Sequence, residues 1–322
     1  MRKFLFPLLL VLLTIIGGVY WVAQSDPTDR DPIKVAYLPI GAGLPIFVAE
    51  EQGFFDEQGL SVDLIEFKTS NDIAAAGLSG RVDVIGTGAT NAMLDANSNA
   101  NGQFRLFLAN NYVKRADGQS TDFVIARSDS NVENYADFKG RTVAIFPGSV
   151  GEVFLAAVSP KLGLEPDEVE TVAMPPAQWL PSLQSGSIDG VFGAVEPFAT
   201  FILDEGVGEI IVDGYYAELM PDVPASGAWF ISQKLTEDEE RRFYAAIQKA
   251  VRFIATDEVA ARQALAGYTA IPAEKLSRIR LQEWRMSGDD GMSETLRTFA
   301  ETFYRQGGLA EQPTSDDWIW KP

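Results

Sequence analysis

The chain has 322 residues, of which 46% are hydrophobic, and a formal net charge of −19. This excess of carboxylates repels nucleic acid and anionic lipid, so it argues against a nucleic-acid-binding protein. The sequence contains no cysteine and no histidine, which excludes disulfides and thiolate metal sites and removes the usual general base; we therefore predict no enzyme activity, no cofactor and no metal.

Residues 1–25 have the pattern of an export signal. Arg2 and Lys3 precede an uncharged stretch from Phe4 to Ala23, which is the order of the charged and apolar regions in a signal peptide. Ala23-Gln24-Ser25 fits a cleavage site, but the apolar stretch also has about the 20 residues that a membrane-spanning helix needs. A cleaved signal and an uncleaved anchor both fit, and both predict a periplasmic or extracytoplasmic protein.

Beyond the leader, the chain contains an internal repeat. Val35–Pro39 returns as Val143–Pro147, and the Ser-Gly-Arg-Val-Asp of Ser79–Asp83 returns as Ser-Gly-Ser-Ile-Asp at Ser185–Asp189. Anchors that recur in the same order at nearly constant spacing predict two similar lobes. Two α/β lobes side by side form a cleft that can hold a small molecule.

Strands and helices alternate within each predicted lobe. In the first lobe, the apolar patterns predict strands and helices in the order Ile33–Leu38, Leu44–Gln52, Ser61–Phe67, Asn71–Leu78, Val82–Thr87, Thr90–Asn97 and Phe104–Ala109. In the second lobe, the same order is predicted at Thr142–Phe146, Glu152–Leu162, Val169–Ala173, Gln178–Gln184, Ile188–Phe192, Glu196–Asp204 and Glu209–Val212. Strands separated by helices predict an α/β fold with mostly parallel sheets.

Two extended segments, Asp122–Ala126 and Ala228–Ser232, predict two crossings between the lobes and hence a hinge. We place the first lobe at residues 33–118 and 233–322, and the second lobe at residues 119–232. Beyond Leu235 the pattern becomes amphipathic, and it predicts a helical C-terminal segment with helices at residues 236–255, 257–265, 273–284 and 292–306.

Five motifs in this order resemble a known family. They are Gly53-Phe54-Phe55-x-x-x-Gly59-Leu60-x-Val62, the repeated Ser-Gly-x-[Val/Ile]-Asp, Asp137–Ala144, Pro147-Gly148-Ser149 and Glu196-Pro197-Phe198. Together they resemble the periplasmic solute-binding proteins of ABC importers for sulfonates, taurine, nitrate and thiamine-precursor pyrimidines. The resemblance covers about residues 33–213 and implies a two-lobed type II periplasmic binding protein fold. It also implies a small-molecule ligand between the lobes and an ABC permease as partner; we expect a monomer.

The ligand site is predicted at the carboxyl ends of the strands, where helix N-termini expose unpaired N–H groups. Small residues dominate these loops and let a ligand approach backbone amides. The predicted ligand-binding residues are Gly43, Leu44, Ser70, Asn71, Thr87, Gly88, Ala89, Thr90, Gly148, Ser149, Val150, Trp179, Glu196 and Trp229.

These residues also have structural interpretations that the sequence leaves open. The glycines can serve tight turns, Ser149 can cap a helix, and Trp179 and Trp229 can be packing residues. Glu196 is the only charged member of the set, and a carboxylate is favourable in the first turn of a helix without any ligand. If Glu196 faces the cleft, the ligand should offer an N–H group. Since the loops contain no Lys or Arg, we favour a neutral or N–H-bearing ligand over an oxyanion.

We therefore expect an exported solute-binding component of an ABC importer that closes by hinge motion over a small organic ligand. One alternative is a membrane-tethered sensor or docking protein. Another is an enzyme on the same fold, such as a pyrimidine-synthesising relative. The resemblance implies that such a relative needs an active-site histidine, and this chain has none.

Overall fold

The computed structural model describes residues 31–86, 93–94, 103–112, 120–149, 151, 155–156, 159–214, 225–305 and 318–322. The predicted export signal or anchor at residues 1–25 lies outside them. Within these ranges, no helix has both the length and the hydropathy to cross a membrane. The described strands form two sheets with helices packed on them, in agreement with the predicted α/β class.

The first sheet has six of the described strands. In order across the sheet they are β11 (Trp284–Met286), β4 (Phe104–Tyr112), β10 (Ala225–Ser232), β3 (Val84–Ile85), β1 (Ile33–Tyr37) and β2 (Val62–Glu66). Strand β1 is parallel to β2 and β3. Strand β10 is antiparallel to β3 and β4, and β11 is antiparallel to β4. The carboxyl ends of β1, β3 and β4 therefore lie at the same edge.

The second sheet has five of the described strands. Their order is β7 (Glu170–Ala173), β6 (Thr142–Ile145), β8 (Gly190–Ala194), β5 (Phe123–Arg127) and β9 (Gly208–Asp213). Strand β6 is parallel to β7 and β8, whereas β5 is antiparallel to β8 and β9.

Both sheets are thus mixed, and the prediction of mostly parallel sheets was wrong in this respect. The physical reason lies in the two crossings, from β4 to β5 and from β9 to β10. The strand by which the chain enters each sheet, β5 or β10, starts at the edge where its neighbours end. It therefore runs antiparallel to them.

Strand β10 pairs in the first sheet, so residues 225–232, which the sequence analysis assigns to the second lobe, belong with the first. The return crossing lies before Ala225 rather than after Ser232. From here on, the first lobe means the described residues within 33–112 and 225–322, and the second lobe means residues 120–214.

The helices named here are α1 (Leu44–Glu51), α2 (Phe54–Glu57), α3 (Ser70–Leu78), α4 (Trp179–Ser185), α5 (Phe198–Asp204), α6 (Glu237–Thr256), α7 (Glu258–Tyr268) and α8 (Met292–Arg305). Helix α6 begins with the predicted capping box, in which Thr236 and Glu239 each accept the other's backbone N–H. Helices α1, α6 and α7 cover the first sheet and bury a core that contains Phe47, Phe107 and Phe243.

The segment after α7 differs from the single helix predicted over residues 273–284. It contains a 3₁₀ helix at Ala273–Arg278 and then the edge strand β11. Helical spacing of the buried residues ends at Arg278. The buried residues that follow form two pairs, and the members of each pair are two positions apart, which is the period of an extended chain. These residues are Ile279 and Leu281, then Trp284 and Met286.

The C-terminal residues return to the first sheet. The N–H of Leu106 donates to the carbonyl oxygen of Trp318, and the N–H of Trp320 donates to the carbonyl oxygen of Leu106, both at 2.8 Å. The Trp320 ring stacks on Tyr244 at 4.4 Å between centroids, and its Nε1 donates to Glu240 Oε2 at 2.9 Å. This tail continues the edge of β4 beyond its pairing with β11.

The repeated Ser-Gly-x-[Val/Ile]-Asp motif makes the same contacts in both lobes. In the first, the Asp83 N–H donates to the Lys34 carbonyl oxygen at 2.8 Å, and Asp83 Oδ2 accepts the Lys34 N–H at 3.0 Å. In the second, the Asp189 N–H donates to the Thr142 carbonyl oxygen at 2.7 Å, and Asp189 Oδ2 accepts the Thr142 N–H at 3.2 Å. Each aspartate thus fixes the start of a strand, β1 or β6, that leads to the predicted site.

We predict that Asp189→Ala lowers the free energy of unfolding by about 1–3 kcal/mol, because it leaves the Thr142 N–H without its acceptor. Asp129→Ala is a matched control, since Asp129 pairs with Arg127 on the exposed surface and such pairs contribute about 0–1 kcal/mol. Urea unfolding with an unchanged m-value measures both variants. Equal losses in the two variants would contradict the assigned role.

Candidate functional site

Loops of the two lobes meet at the carboxyl ends of the strands. The Gly41 N–H, in the loop after β1, donates to the carbonyl oxygen of Glu196, in the loop after β8, at 2.9 Å. Gly148, in the loop after β6, lies against Asn71 at the start of α3, so closely that a Cβ on Gly148 would stand 2.3 Å from Asn71 Oδ1. The structure therefore brings Asn71, Gly148 and Glu196, three residues of the predicted site, to one boundary between the lobes.

Ser70 begins α3 and is fully buried. The helix is capped by its neighbour Thr69, whose side chain accepts the Asp72 N–H at 3.2 Å, so Ser70 is not needed as the cap. Its Oγ makes no hydrogen bond within the described part of the chain. A buried hydroxyl without a partner is unusual in a folded protein.

Trp179 begins α4 and is 0% exposed. Its ring packs edge-on against Phe146, at 6.3 Å between centroids, and Phe198, at 6.1 Å. The indole Nε1 finds no acceptor among the residues that the structure describes. The packing interpretation thus accounts for the ring, and it leaves the N–H group unexplained.

Trp229 lies in β10 and is also fully buried. Its ring packs edge-on against Phe107 at 6.2 Å, and its Nε1 likewise lacks an acceptor in the described ranges. Trp229 pairs with Leu108 within β4 and belongs to the core that α1, α6 and α7 cover, so the structure places it inside the first lobe.

The other predicted residues fall into two groups. Gly43 and Leu44 are buried at the start of α1, and Ser149 Oγ accepts the Gly151 N–H at 3.2 Å, which is the local capping contact that the sequence left open. The remaining predicted residues lie outside the described residues; they are Thr87, Gly88, Ala89, Thr90 and Val150.

Glu196 is buried at the boundary between the lobes, and both of its carboxylate oxygens have donors. Oε2 accepts the Thr200 N–H in the first turn of α5 at 3.2 Å, and Oε1 accepts the Arg280 N–H of the first lobe at 3.3 Å. Burial raises the pKa of Glu196 above its usual 4.5, although the hydrogen bonds from Thr200 and Arg280 oppose the rise. Its position is therefore explained by contacts inside the protein.

Sequence reasoning missed Asn110 and Arg280. Asn110 lies near the carboxyl end of β4 and is buried; its Nδ2 donates to Gln282 Oε1 at 2.9 Å, while its Oδ1 makes no hydrogen bond to the described residues. A polar residue closing the apolar run Phe104–Ala109 was the available signal. Arg280 lies in the segment that the sequence analysis predicts as helix, so its contacts with the second lobe were not anticipated.

A separate groove of about 560 Å³ lies between the end of α6 and β11. It includes Arg252, Glu258, Trp284 and Asp289, and none of the predicted site residues lines it. Across the described ranges, no group of three or more carboxylates is arranged to hold a metal ion.

A family model described as NMT1/THI5 like matches residues 43–261. The 4-amino-5-hydroxymethyl-2-methylpyrimidine phosphate synthase THI11 of Saccharomyces cerevisiae is 24% identical over 145 residues, which are 45% of this chain and 40% of the yeast protein. The chain thus spans less than half the length of the curated relatives that it matches.

Solved structures share the fold at low identity. The alkanesulfonate-binding protein SsuA from Xanthomonas axonopodis pv. citri, bound to MOPS, has a TM-score of 0.72 at 16% identity, covering 92% of this chain and 100% of its own. The periplasmic nitrate-binding protein NrtA from Synechocystis PCC 6803 has a TM-score of 0.65 at 16% identity, covering 90% and 84%. These matches confirm the predicted two-lobed periplasmic binding protein fold.

We predict that Gly148→Ala destabilises the protein more than Gly140→Ala. Both glycines have φ of +71°, so both variants carry the same backbone strain of about 1–2 kcal/mol. Only the Cβ at position 148 also meets a neighbour, since no described atom lies within 4 Å of a Cβ at Gly140. We expect the overpacking against Asn71 to add about 1 kcal/mol, measured by urea unfolding. Adding Asn71→Ala should recover part of that excess; no recovery would contradict the contact between the loops.

We predict that Glu196→Gln becomes increasingly more stable than the wild type as pH rises above the usual pKa of 4.5. A raised pKa means that the folded protein binds this proton more tightly than the unfolded chain. The wild type therefore loses stability from the unfolded pKa up to the raised folded pKa and is level above it. Unfolding curves over about pH 4 to pH 8 measure the difference, with the exposed Glu209→Gln as control. A constant difference between Glu196→Gln and the wild type would contradict the raised pKa.

Proposed function

The chain belongs to the NMT1/THI5-like family, and we propose that it is the extracytoplasmic solute-binding component of an ABC importer. In this proposal it captures a small organic solute between its lobes and delivers the solute to a permease in the cytoplasmic membrane. The N-terminal pattern of Arg2, Lys3 and an uncharged stretch up to Ala23 supports export. The sulfonate-binding and nitrate-binding proteins of the same fold support binding rather than catalysis.

The observation that carries the proposal is a set of buried polar atoms among the predicted site residues. Ser70 Oγ, Trp179 Nε1 and Trp229 Nε1 are buried, yet within the described structure each is without a hydrogen-bond partner. Leaving such a group unpaired costs about 1–3 kcal/mol. A ligand that accepts hydrogen bonds would offset this cost, which makes the unpaired atoms a source of affinity.

These atoms favour a ligand with acceptor oxygens. All three can donate a hydrogen bond, and the two indole N–H groups can only donate. The expectation of an N–H-bearing ligand depended on the absence of Lys and Arg from the predicted loops and on Glu196. The two oxygens of Glu196 already accept the N–H groups of Thr200 and Arg280, and N–H donors can hold an anion without a cation. We therefore propose an organic oxyanion, such as a sulfonate. The two neighbours that bind an alkanesulfonate and nitrate, by their names, support the same chemistry.

Binding in this proposal proceeds by hinge closure and without a reaction. The two crossings, β4 to β5 and β9 to β10, let the lobes rotate as bodies, and the loops that hold Asn71 and Gly148 close against each other. The curated yeast relatives are synthases by name. As the resemblance implies, their chemistry needs a histidine, which this chain lacks; we propose that the ligand is released unchanged.

We predict that Trp179→Phe weakens ligand binding by tenfold or more, because a hydrogen bond to a charged acceptor contributes about 1.5–3 kcal/mol. The variant keeps an aromatic ring and removes only the N–H group. Trp318→Phe makes the same chemical change at another buried Nε1 without a partner in the described structure, remote in the fold from the predicted loops, so its affinity should equal the wild type's.

Calorimetry with MOPS, taurine, nitrate and 4-amino-5-hydroxymethyl-2-methylpyrimidine provides the measurement. Binding of MOPS or taurine that Trp179→Phe weakens and Trp318→Phe does not would support the proposal. Equal affinities in all three proteins would refute the role of Trp179. Preference for the pyrimidine would refute the oxyanion ligand, and conversion of any of these compounds would refute a function limited to binding.

A further inference from the structure

A short segment of the first lobe, residues 273–280, reaches across to the second lobe; we call it the strap. It is anchored in the first lobe, where Leu276 and Ile279 are buried in the core formed by β1, α1, α6 and α7. Arg262 of α7 donates through Nη1 to the carbonyl oxygen of Leu276 at 3.0 Å and also to that of Ile279. The strap therefore moves with the first lobe.

The cations of the strap pair with a carboxylate of the second lobe. Lys275 Nζ lies 3.2 Å from Asp204 Oδ2, and Arg278 Nη1 lies 2.5 Å from Asp204 Oδ1. Asp204 ends α5, and its side chain is only 6% exposed. Lys275 Nζ also lies 5.5 Å from the centre of the Phe201 ring on the same helix. A carboxylate this buried is held by charges from the opposite lobe.

Arg280 makes a second cluster of contacts. Its Nη1 donates to both oxygens of Asp213, at 3.2 and 3.0 Å, and to the carbonyl oxygen of Ser120 at 3.2 Å. Its guanidinium carbon lies 4.9 Å from the centre of the Phe123 ring. Its backbone N–H is the donor to Glu196. Asp213 ends β9 and Phe123 begins β5, so Arg280 contacts the second lobe beside both crossings.

We propose that the strap is a latch that holds the two lobes together. Its contacts to Asp204, Asp213 and Glu196 all join one lobe to the other, so they stabilise the arrangement of the lobes in this structure, which is the closed one in this proposal, and they are lost if the lobes move apart. Partly buried ion pairs are screened less by salt than exposed ones. In a chain with 26 basic and 45 acidic residues, three cations within the strap face acidic residues of the opposite lobe.

The latch differs from the hinge, because it joins the lobes through non-covalent contacts and carries no chain crossing. The latch rests on the proposed function only in its effect on ligand affinity. If the closed form is the one that binds, affinity rises in proportion to the fraction of protein that is closed. Weakening the latch should therefore open the ligand-free protein and lower its affinity together.

The experiment measures lobe separation in the absence of any solute. Because the chain has no cysteine, Ala75→Cys on α3 and Gln184→Cys on α4 place two spin labels on exposed positions, one in each lobe. Pulsed electron resonance gives the distance distribution in the background of Arg280→Gln, of Asp204→Asn and of the control Lys139→Gln. Lys139 pairs with Glu168 at 2.5 Å within the second lobe, so the control removes an ion pair that does not join the lobes.

We expect Arg280→Gln and Asp204→Asn to shift the distribution to longer distances, with the ratio of open to closed protein rising about fivefold or more, while Lys139→Gln matches the parent. Thermal unfolding checks that each variant is folded, and Asp204→Asn decides the question if Arg280→Gln does not fold. Unchanged distances in the folded variants, or an equal shift in the control, would overturn the latch.

Calorimetry with MOPS on the same proteins separates the two proposals. If MOPS binds, its affinity should fall about fivefold or more in the two latch variants and stay unchanged in the control. If neither MOPS nor taurine binds to the wild type, the sulfonate-binding function fails and the distance result still decides the latch. If MOPS binds and the distances do not change, the latch alone fails.

Discussion

The two crossings between the sheets are the constraint on which the site depends. The chain leaves β4 to begin β5 and leaves β9 to begin β10, and each entering strand lies antiparallel to neighbours that point towards the other lobe. The carboxyl ends of the parallel strands are thereby aimed at one boundary. Gly41 and Glu196 meet there, as do Asn71 and Gly148. The connections between the strands therefore determine which loops of the two lobes lie next to one another.

The polar groups of the predicted site residues divide by whether the protein provides their hydrogen-bond partners. Glu196 accepts a backbone N–H from each lobe, so it contributes to the arrangement of the lobes. The buried hydrogen-bonding groups of Ser70, Trp179 and Trp229 have no such partner within the described ranges, and the cost of leaving them unpaired is avoided only when something else accepts from them. In the function that we propose, the first kind of group positions the site and the second kind donates to the ligand.

Most elements could be predicted from sequence because their signals are local. The capping box at Thr236 and the alternating apolar runs depend on neighbours within a few residues, and the structure confirms the capping box and the strands that these runs predict. The repeat relates distant parts of the chain, but each copy is a short motif that the sequence alone reveals. The direction of β5 and β10 could not be predicted, because it follows from the crossings and not from the residues. The position of Arg280 was missed since it depends on which lobe its segment contacts, while Trp179 could be placed at a loop end but its unpaired Nε1 requires coordinates.

The pairing of residues 318–322 with β4 means that the first sheet depends on contacts between more distant parts of the chain than the second sheet does. The strands of the second lobe all lie between Phe123 and Asp213, so a contiguous stretch of chain can complete that sheet soon after it emerges. The first sheet needs β10, β11 and the bridge between Leu106 and Ile319, and pairings so distant in sequence form slowly. Until β10 and β11 have formed, β3 and β4 carry unpaired edges that can associate with other chains. The first lobe therefore completes its sheet after the second lobe, and its strand edges stay open to other chains for longer.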